Sequence, residues 1–283
     1  MGSIQEQKLI DELLGDLEND RLILPTLPEV ALKVRDTLED ESMGLPEVAK
    51  VITSDAALSA RLIQITNSPL LRSSRQIETV EAAVARMGSD MVRNLVMSIV
   101  MEQMFQATST ATDSRLRALW EHSTDVAAIS HALAARYTTL HADLALLIGL
   151  IHDIGTLPIL SYAEDIPGLL DDEELLDHII DQTHVKISTA ILTKWKFSDD
   201  MIRAVSEHEN LAYDSDKDKP DYADVAIVAN LQSYIGTSHK LNDLDWNTIP
   251  SFQKLGLKGN VNVVTMDKIK EDIQSIKSVL RSS

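Results

Sequence analysis

One stretch of the chain sets two kinds of metal donor side by side. His152 and Asp153 close the apolar run LIGLIHDIGTLP. An imidazole nitrogen and a carboxylate oxygen on neighbouring residues can serve one divalent cation. His122 lies upstream, where Leu119, His122, Val126, Ile129 and Leu133 recur at spacings of three and four, so it shares the inward face of a helix. His184 and His208 follow, each near an expected helix end. Any one of these histidines has a plain alternative, because a lone histidine on an apolar face is more often a hydrogen-bonded core residue than a ligand. His131, His141 and His178 show that histidine is not scarce in this chain. His131 sits half a turn round the helix from His122 and should face away from it. There is no cysteine, so any metal must be held by histidine and carboxylate.

The elements that must position these residues read as helices. Leu9, Leu13 and Leu17 stripe an opening helix, and Pro28 stands at the first turn of the next, which runs to about Leu38. Gly44 and Pro46 precede a short helix through Ile52, with Ser54 as the expected N-cap of a helix to Thr66. A helix over 78–87 should end at Gly88, and another should cover 90–105. The small polar segment 107–113 marks a boundary, which divides the chain into an N-terminal lobe over 1–110, a second lobe over 111–240 and an extension over 241–283. The second lobe begins with a helix to about Tyr137 and one from Ala142 to His152, ending near Gly155 and Pro158. Helices are then expected around 173–181, 184–195, 199–208 and 222–235, with a charged loop over 215–221. The run Val261–Val264 has the composition of a short strand. Met266, Ile269, Ile273, Ile276 and Leu280 form a last stripe, which should pack on the body of the protein or, as the alternative, join two copies in a homodimer.

Composition narrows the class. Aromatic residues make up only 4% of the chain, so the core must be built from Leu, Ile, Val, Ala and Met, a palette that favours helix packing. The expected fold is all-α. The net charge of -18 repels phosphate backbones and argues against a nucleic-acid partner. Lys50, Arg61, Arg72, Arg75, Arg86 and Arg93 do cluster in the first third, and residues 45–65 can be read as a helix-turn-helix. Arg61 is nevertheless the only cation of its would-be recognition helix, and readers of the major groove bring a basic face. No secretory signal pattern opens the chain, and its best apolar run, 142–151, falls short of the roughly 18 residues that span a bilayer. No membrane partner is expected, and the expected location is the cytoplasm.

Two further patterns connect these residues. His122 followed by His152-Asp153 resembles the HD phosphohydrolase superfamily, and HDIG at 152–155 resembles its HD-GYP branch. LPTLPEVA at 24–31, SDAALSARLIQITNSP at 54–69, IETVEAAVARMG at 77–88, WEHS at 120–123 and the run 184–209 resemble, in order and spacing, the HDOD domain over roughly residues 20–235. The resemblance implies a two-lobed helical bundle whose C-terminal lobe is HD-like. It also implies His122, His152 and Asp153 as metal ligands, His184 and His208 as ligands of a second metal, and a divalent cation such as Fe, Mn or Mg. The closing aspartate of the superfamily falls on Asn230, whose amide oxygen is a weaker ligand, and Asp224 lies nearly two turns away. Thr156 stands where the HD-GYP pattern has lysine, and the GYP segment is absent after His208.

The function implied is a signal-transduction or regulatory module of bacteria that acts through protein contacts, without confident catalytic residues. The alternative is a metal-dependent phosphohydrolase acting on a nucleotide or cyclic dinucleotide. The losses at 156 and 230 weigh against turnover, since both remove charge from the site.

Overall fold

The computed structural model describes residues 2–40, 42–68, 71, 76–106, 109–215 and 218–280. Arg72, Arg75, the Pro69 stop signal and parts of the 107–113 and 215–221 loops lie outside these residues. Among the described residues there are helices and turns and no strand.

The expected lobe over 1–110 is corrected at its start: α1 (Gly2–Glu18) packs on the 173–194 helix of the second lobe, where Glu6 meets His178, and the N-terminal lobe is built from α2 (Glu29–Glu39), α3 (Leu45–Thr53), α4 (Ala56–Thr66) and α5 (Val80–Met104). Asp55, not Ser54, caps α4, because its carboxylate accepts the Leu58 amide while Ser54 still belongs to the end of α3. Gly88, at φ 77°, breaks α5 where the sequence places a helix end. The second lobe holds α6 (Asp113–Tyr137), α7 (Ala142–Ile151), α8 (Thr156–Glu164), α9 (Glu173–Lys194), α10 (Asp199–Glu207) and α11 (Tyr222–Ser233). Helix α5 lies against α7, and Arg35 on α2 donates to the Trp195 carbonyl at 2.9 Å while the Trp195 indole donates to the Pro25 carbonyl at 3.1 Å.

Several expectations are corrected here. Helix α8 was not foreseen: Pro158 does not end α7 but sits in the first turn of α8, where its missing N–H has no partner to lose. Residues 173–194 form one helix with no break before His184, and Thr183 sits inside it with its hydroxyl donating to the Ile179 carbonyl at 2.7 Å. The apolar stretch 142–164 is long and apolar enough to cross a membrane, contrary to the reading that stopped at Ile151. The run is two helices joined by the turn 152–155, and 78% of its most apolar window is buried inside the protein. Val261–Val264 is no strand. Instead of a neighbouring strand, its backbone meets the Gln232 side chain, which donates to the Val261 carbonyl at 2.9 Å and accepts the Val263 amide at 3.0 Å, and local turn bonds such as the Val261 amide to the Lys258 carbonyl at 3.0 Å.

The last helix, α13 (Asp267–Leu280), packs on α6 and buries Ile269, Ile273, Ile276 and Leu280, while Met266 stays exposed. Lys277 pairs with Asp125 at 2.5 Å, and Arg136 pairs with Asp272. Before it, α12 (Pro250–Lys254) places Ser251 against Asp224 at 2.8 Å. Arg61, the cation of the helix-turn-helix reading, is turned toward Glu102 at 3.7 Å.

Candidate metal centre

Five helix ends and faces converge on Asp153. His122 projects from the middle of α6, His152 follows the last residue of α7, His184 lies inside α9, and His208 follows α10. Asn230 comes from α11. The residues singled out in the sequence are therefore brought into one cleft of about 670 Å³, which His122, Asp153, His184, His208 and Asn230 line while His152 forms its buried base.

Close helix packing makes this convergence possible. A Cβ at Gly149 would lie 2.5 Å from the Ala127 Cα, so glycine lets α7 touch the α6 backbone and brings His152 to His122. Gly155 is still closer to its neighbour. A Cβ there would lie 2.2 Å from the backbone oxygen of His184 itself, and the Gly155 amide donates to Ser188 Oγ at 2.8 Å. The glycine of HDIG thus sets the distance between Asp153 and His184.

The Asp153 carboxylate faces imidazoles on both sides. Its Oδ2 is 3.1 Å from His152 Nε2 and 3.5 Å from His122 Nε2, and its Oδ1 is 3.1 Å from His208 Nε2 and 3.4 Å from His184 Nε2. His122 and His152 approach at 3.2 Å between their Nε2 atoms. The residues fall into two groups sharing Asp153: His122 with His152, and His184 with His208. Spacings of this size suit donors that share a cation at about 2.0–2.2 Å.

Three of the rings carry a proton on Nδ1. His152 Nδ1 donates to the Gly149 carbonyl at 2.8 Å, His184 Nδ1 to Ile180 at 2.7 Å and His208 Nδ1 to Val205 at 2.7 Å. A carbonyl can only accept, so each Nδ1 carries the proton, and Nε2 is turned toward Asp153. His208 Nε2 is buried and, although near Asp153, lies off the line of a hydrogen bond; Asn230 Oδ1 is likewise buried without a partner. Orphaned buried polar atoms are rare and call for an occupant. The donor set of four imidazoles, one carboxylate and one amide oxygen fits a first-row divalent cation.

Charge is distributed unevenly. Burial, reinforced by the His152 ring, pushes His122 down to about 4 against the pull of Asp153. Burial also pulls on His184, but its hydrogen bond to Asp153 and the charges of Asp153 and Glu209 outweigh it and raise the ring to about 9. Burial alone would raise Asp153, yet the surrounding histidines hold it well below the usual carboxylate range.

Sequence reasoning missed part of the cleft. Tyr234 stacks on His122 with centroids 5.2 Å apart and on His239 at 3.7 Å. It lies one turn after Asn230 on the same face of the α11 axis, a spacing that could have identified it. Glu209 reaches to 3.6 Å from His184. Arg115 and Lys240 stand at the rim, paired with Asp177 at 2.6 Å and Asp181 at 3.2 Å. Thr156 lies within the cleft lining, and Asp224 does not, being tied to Ser251 and the Asp221 amide instead. His131 faces away, as expected, beside Asp143.

The HDOD domain pattern matches residues 24–211. The chain belongs to the HDOD family. A crystal structure from Shewanella amazonensis SB2B, provisionally named a metal-dependent phosphohydrolase, is 30% identical with a TM-score of 0.86, covering 98% of this chain and 99% of its own. An HDOD domain protein of unknown function from Geobacter sulfurreducens shares the fold at 20% identity and a TM-score of 0.66, covering 98% of this chain and 99% of its own. An uncharacterized protein of Treponema pallidum (strain Nichols) is 25% identical over 216 residues, which is 72% of this chain and 41% of that protein. This HDOD chain therefore spans less than half the length of that curated relative.

Proposed function

We propose that the chain is a cytoplasmic HDOD regulatory module of bacterial signal transduction, which holds a divalent cation in its His/Asp cluster and acts through contacts with a protein partner. The observation that carries this reading is the divided character of the cleft. His122, His152, Asp153, His184 and His208 are in place with Nε2 atoms turned inward, while position 230 carries an amide and position 156 a threonine. The preponderance of imidazole favours iron or manganese over magnesium.

The specific observation favouring a second reading, a phosphohydrolase acting on a nucleotide or cyclic dinucleotide, is the placement of Asp153 between the two histidine pairs. A bound cation would supply charge stabilisation for a phosphoryl group. The chain's own residues would then orient that group: Arg115 and Lys240 at the rim and Tyr234 beside His122. Against turnover, no lysine stands at 156, and Asn230 supplies no negative charge to the cation.

The test is hydrolysis of bis(p-nitrophenyl) phosphate and of a cyclic dinucleotide by manganese- or iron-loaded protein, beside His152→Ala. The regulatory reading expects no rate above the variant's background. Turnover that disappears with His152 would establish the second reading in its place.

A further inference from the structure

A second cleft, of about 520 Å³, opens between the two lobes and is lined by none of the His/Asp cluster residues. Its volume is in the range of small-molecule sites, about 300–1,000 Å³, and such sites favour the seam between structural units. The N-terminal lobe contributes Arg35 from α2 and Arg93 from α5, and the second lobe contributes Lys196 and Phe197 from the turn after α9 and Met201 from α10.

Three cations line this seam in a protein whose net charge is -18. Arg35 is already taken, by Asp36 at 3.0 Å and by the Trp195 carbonyl at 2.9 Å, which leaves Arg93 and Lys196 for a ligand. Arg93 meets the mostly exposed Asp90 only at 3.5 Å. Arg93 Nε is buried and has no hydrogen-bond partner. A guanidinium nitrogen left unsatisfied in the interior is costly, and an acceptor supplied from outside would remove that cost. Lys196 has no ion pair or hydrogen bond to its ammonium among the described residues, and its backbone sits at φ 57°, the left-handed position after a helix that glycine ordinarily takes. Lys196 is exposed and lines the cleft from the second lobe. Met97, Phe197 and Met201 give the same cleft an apolar wall.

We propose that this seam is a binding site for a small phosphate ester with a flat apolar portion, of the size of a nucleoside monophosphate. Its phosphate is held by Arg93 and Lys196 across the lobe interface, and its ring rests on Phe197 and the methionines. Arginine is suited to phosphate because its donors form a planar fork. The two cations belong to different lobes, so the ligand tightens the contact between them and raises the melting temperature with ligand concentration. The site uses none of the metal centre's residues and does not rest on the function proposed above.

The test is titration calorimetry of the full chain with AMP, adenosine and inorganic phosphate, run in parallel on metal-loaded wild type and on His152→Ala. The expected result is saturable AMP binding, equal in both proteins, with adenosine and phosphate each much weaker. Lys196→Gln, at an exposed position that leaves the fold intact, and Arg93→Gln should each weaken AMP by about tenfold or more, the loss of one charge-assisted contact. The proposal is overturned if no saturable binding occurs up to about 10 mM AMP. It is also overturned if Lys196→Gln binds like wild type, or if binding is lost in His152→Ala and so belongs to the metal centre.

Discussion

Gly155→Ala is the sharpest perturbation of the metal centre that touches no ligand side chain. The added Cβ would lie 2.2 Å from the His184 carbonyl oxygen, 2.6 Å from the Ser188 amide nitrogen and 2.8 Å from Ser188 Oγ, whereas ordinary contact begins at 3.4 Å. Two of these three neighbours are backbone atoms of α9 and cannot rotate aside, so the turn carrying Asp153 must retreat by about 1 Å. Overpacking of this kind costs about 1–3 kcal/mol, and weakening the bond from the Gly155 amide to Ser188 adds about 1 kcal/mol. For a chain of this length each kcal/mol is worth about 2 °C, so the melting temperature should fall by roughly 4–8 °C. The same retreat separates Asp153 from His184, now 3.4 Å apart. Displacing a ligand in this way should lower metal affinity by about 10–100-fold. Gly236→Ala is the control: its φ of 85° imposes local strain but nothing lies within 4 Å of the added Cβ, so metal binding should not change. Thermal melts and metal titrations of the two variants check this. A Gly155→Ala protein with wild-type melting temperature and wild-type metal affinity would refute the argument that glycine sets the α8–α9 spacing.

Other consequences can be checked independently. Asn230→Asp restores a carboxylate where Oδ1 is buried without a partner, and should tighten metal binding by about tenfold or more, read by competition with a chelator; unchanged affinity would place residue 230 outside the metal's reach. His184 is raised to about 9 in the metal-free protein and His122 is lowered to about 4, so near neutral pH only His184 of this pair must shed a proton to become a ligand. Metal affinity should therefore rise with pH, by about tenfold per unit up to about pH 9, and calorimetry in buffers of different ionisation enthalpy should show about one proton released near pH 7.5; no release would contradict the assignment. Ile276→Ala, at a fully buried position on α13, should cost about 2–5 kcal/mol in denaturant unfolding of the dilute protein. A loss that depends on protein concentration would instead place this helix between two copies.

The helical class and the order of helices were legible because apolar residues recur with helical period and because Gly and Pro punctuate them. The clustering of His122, His152, Asp153, His184 and His208 was legible from these residues together with their resemblance to a known pattern, not from any single spacing. What stayed hidden is explained by tertiary chemistry. The expected gap between 181 and 184 does not exist, since Thr183 lies inside one continuous helix with its hydroxyl on the Ile179 carbonyl. Residues 261–264 look like a strand, but their backbone bonds to local turns and to the side chain of Gln232, far away in the sequence. Helix α8 begins with no capping side chain, and its one local mark, Pro158 in the first turn, reads equally well as the end of α7. The stack of His122, Tyr234 and His239 joins residues of α6, α11 and the loop after α11, and such a contact has no signature along the chain.

The central claim is that the cluster around Asp153 holds metal, and metal content by mass spectrometry on tag-free protein tests it most directly. The account predicts about one to two divalent ions per chain, iron or manganese, which vanish in His152→Ala while the variant stays folded. Wild-type protein that holds no metal after soaking with excess iron and manganese would contradict the account and leave the histidines as parts of the helical scaffold.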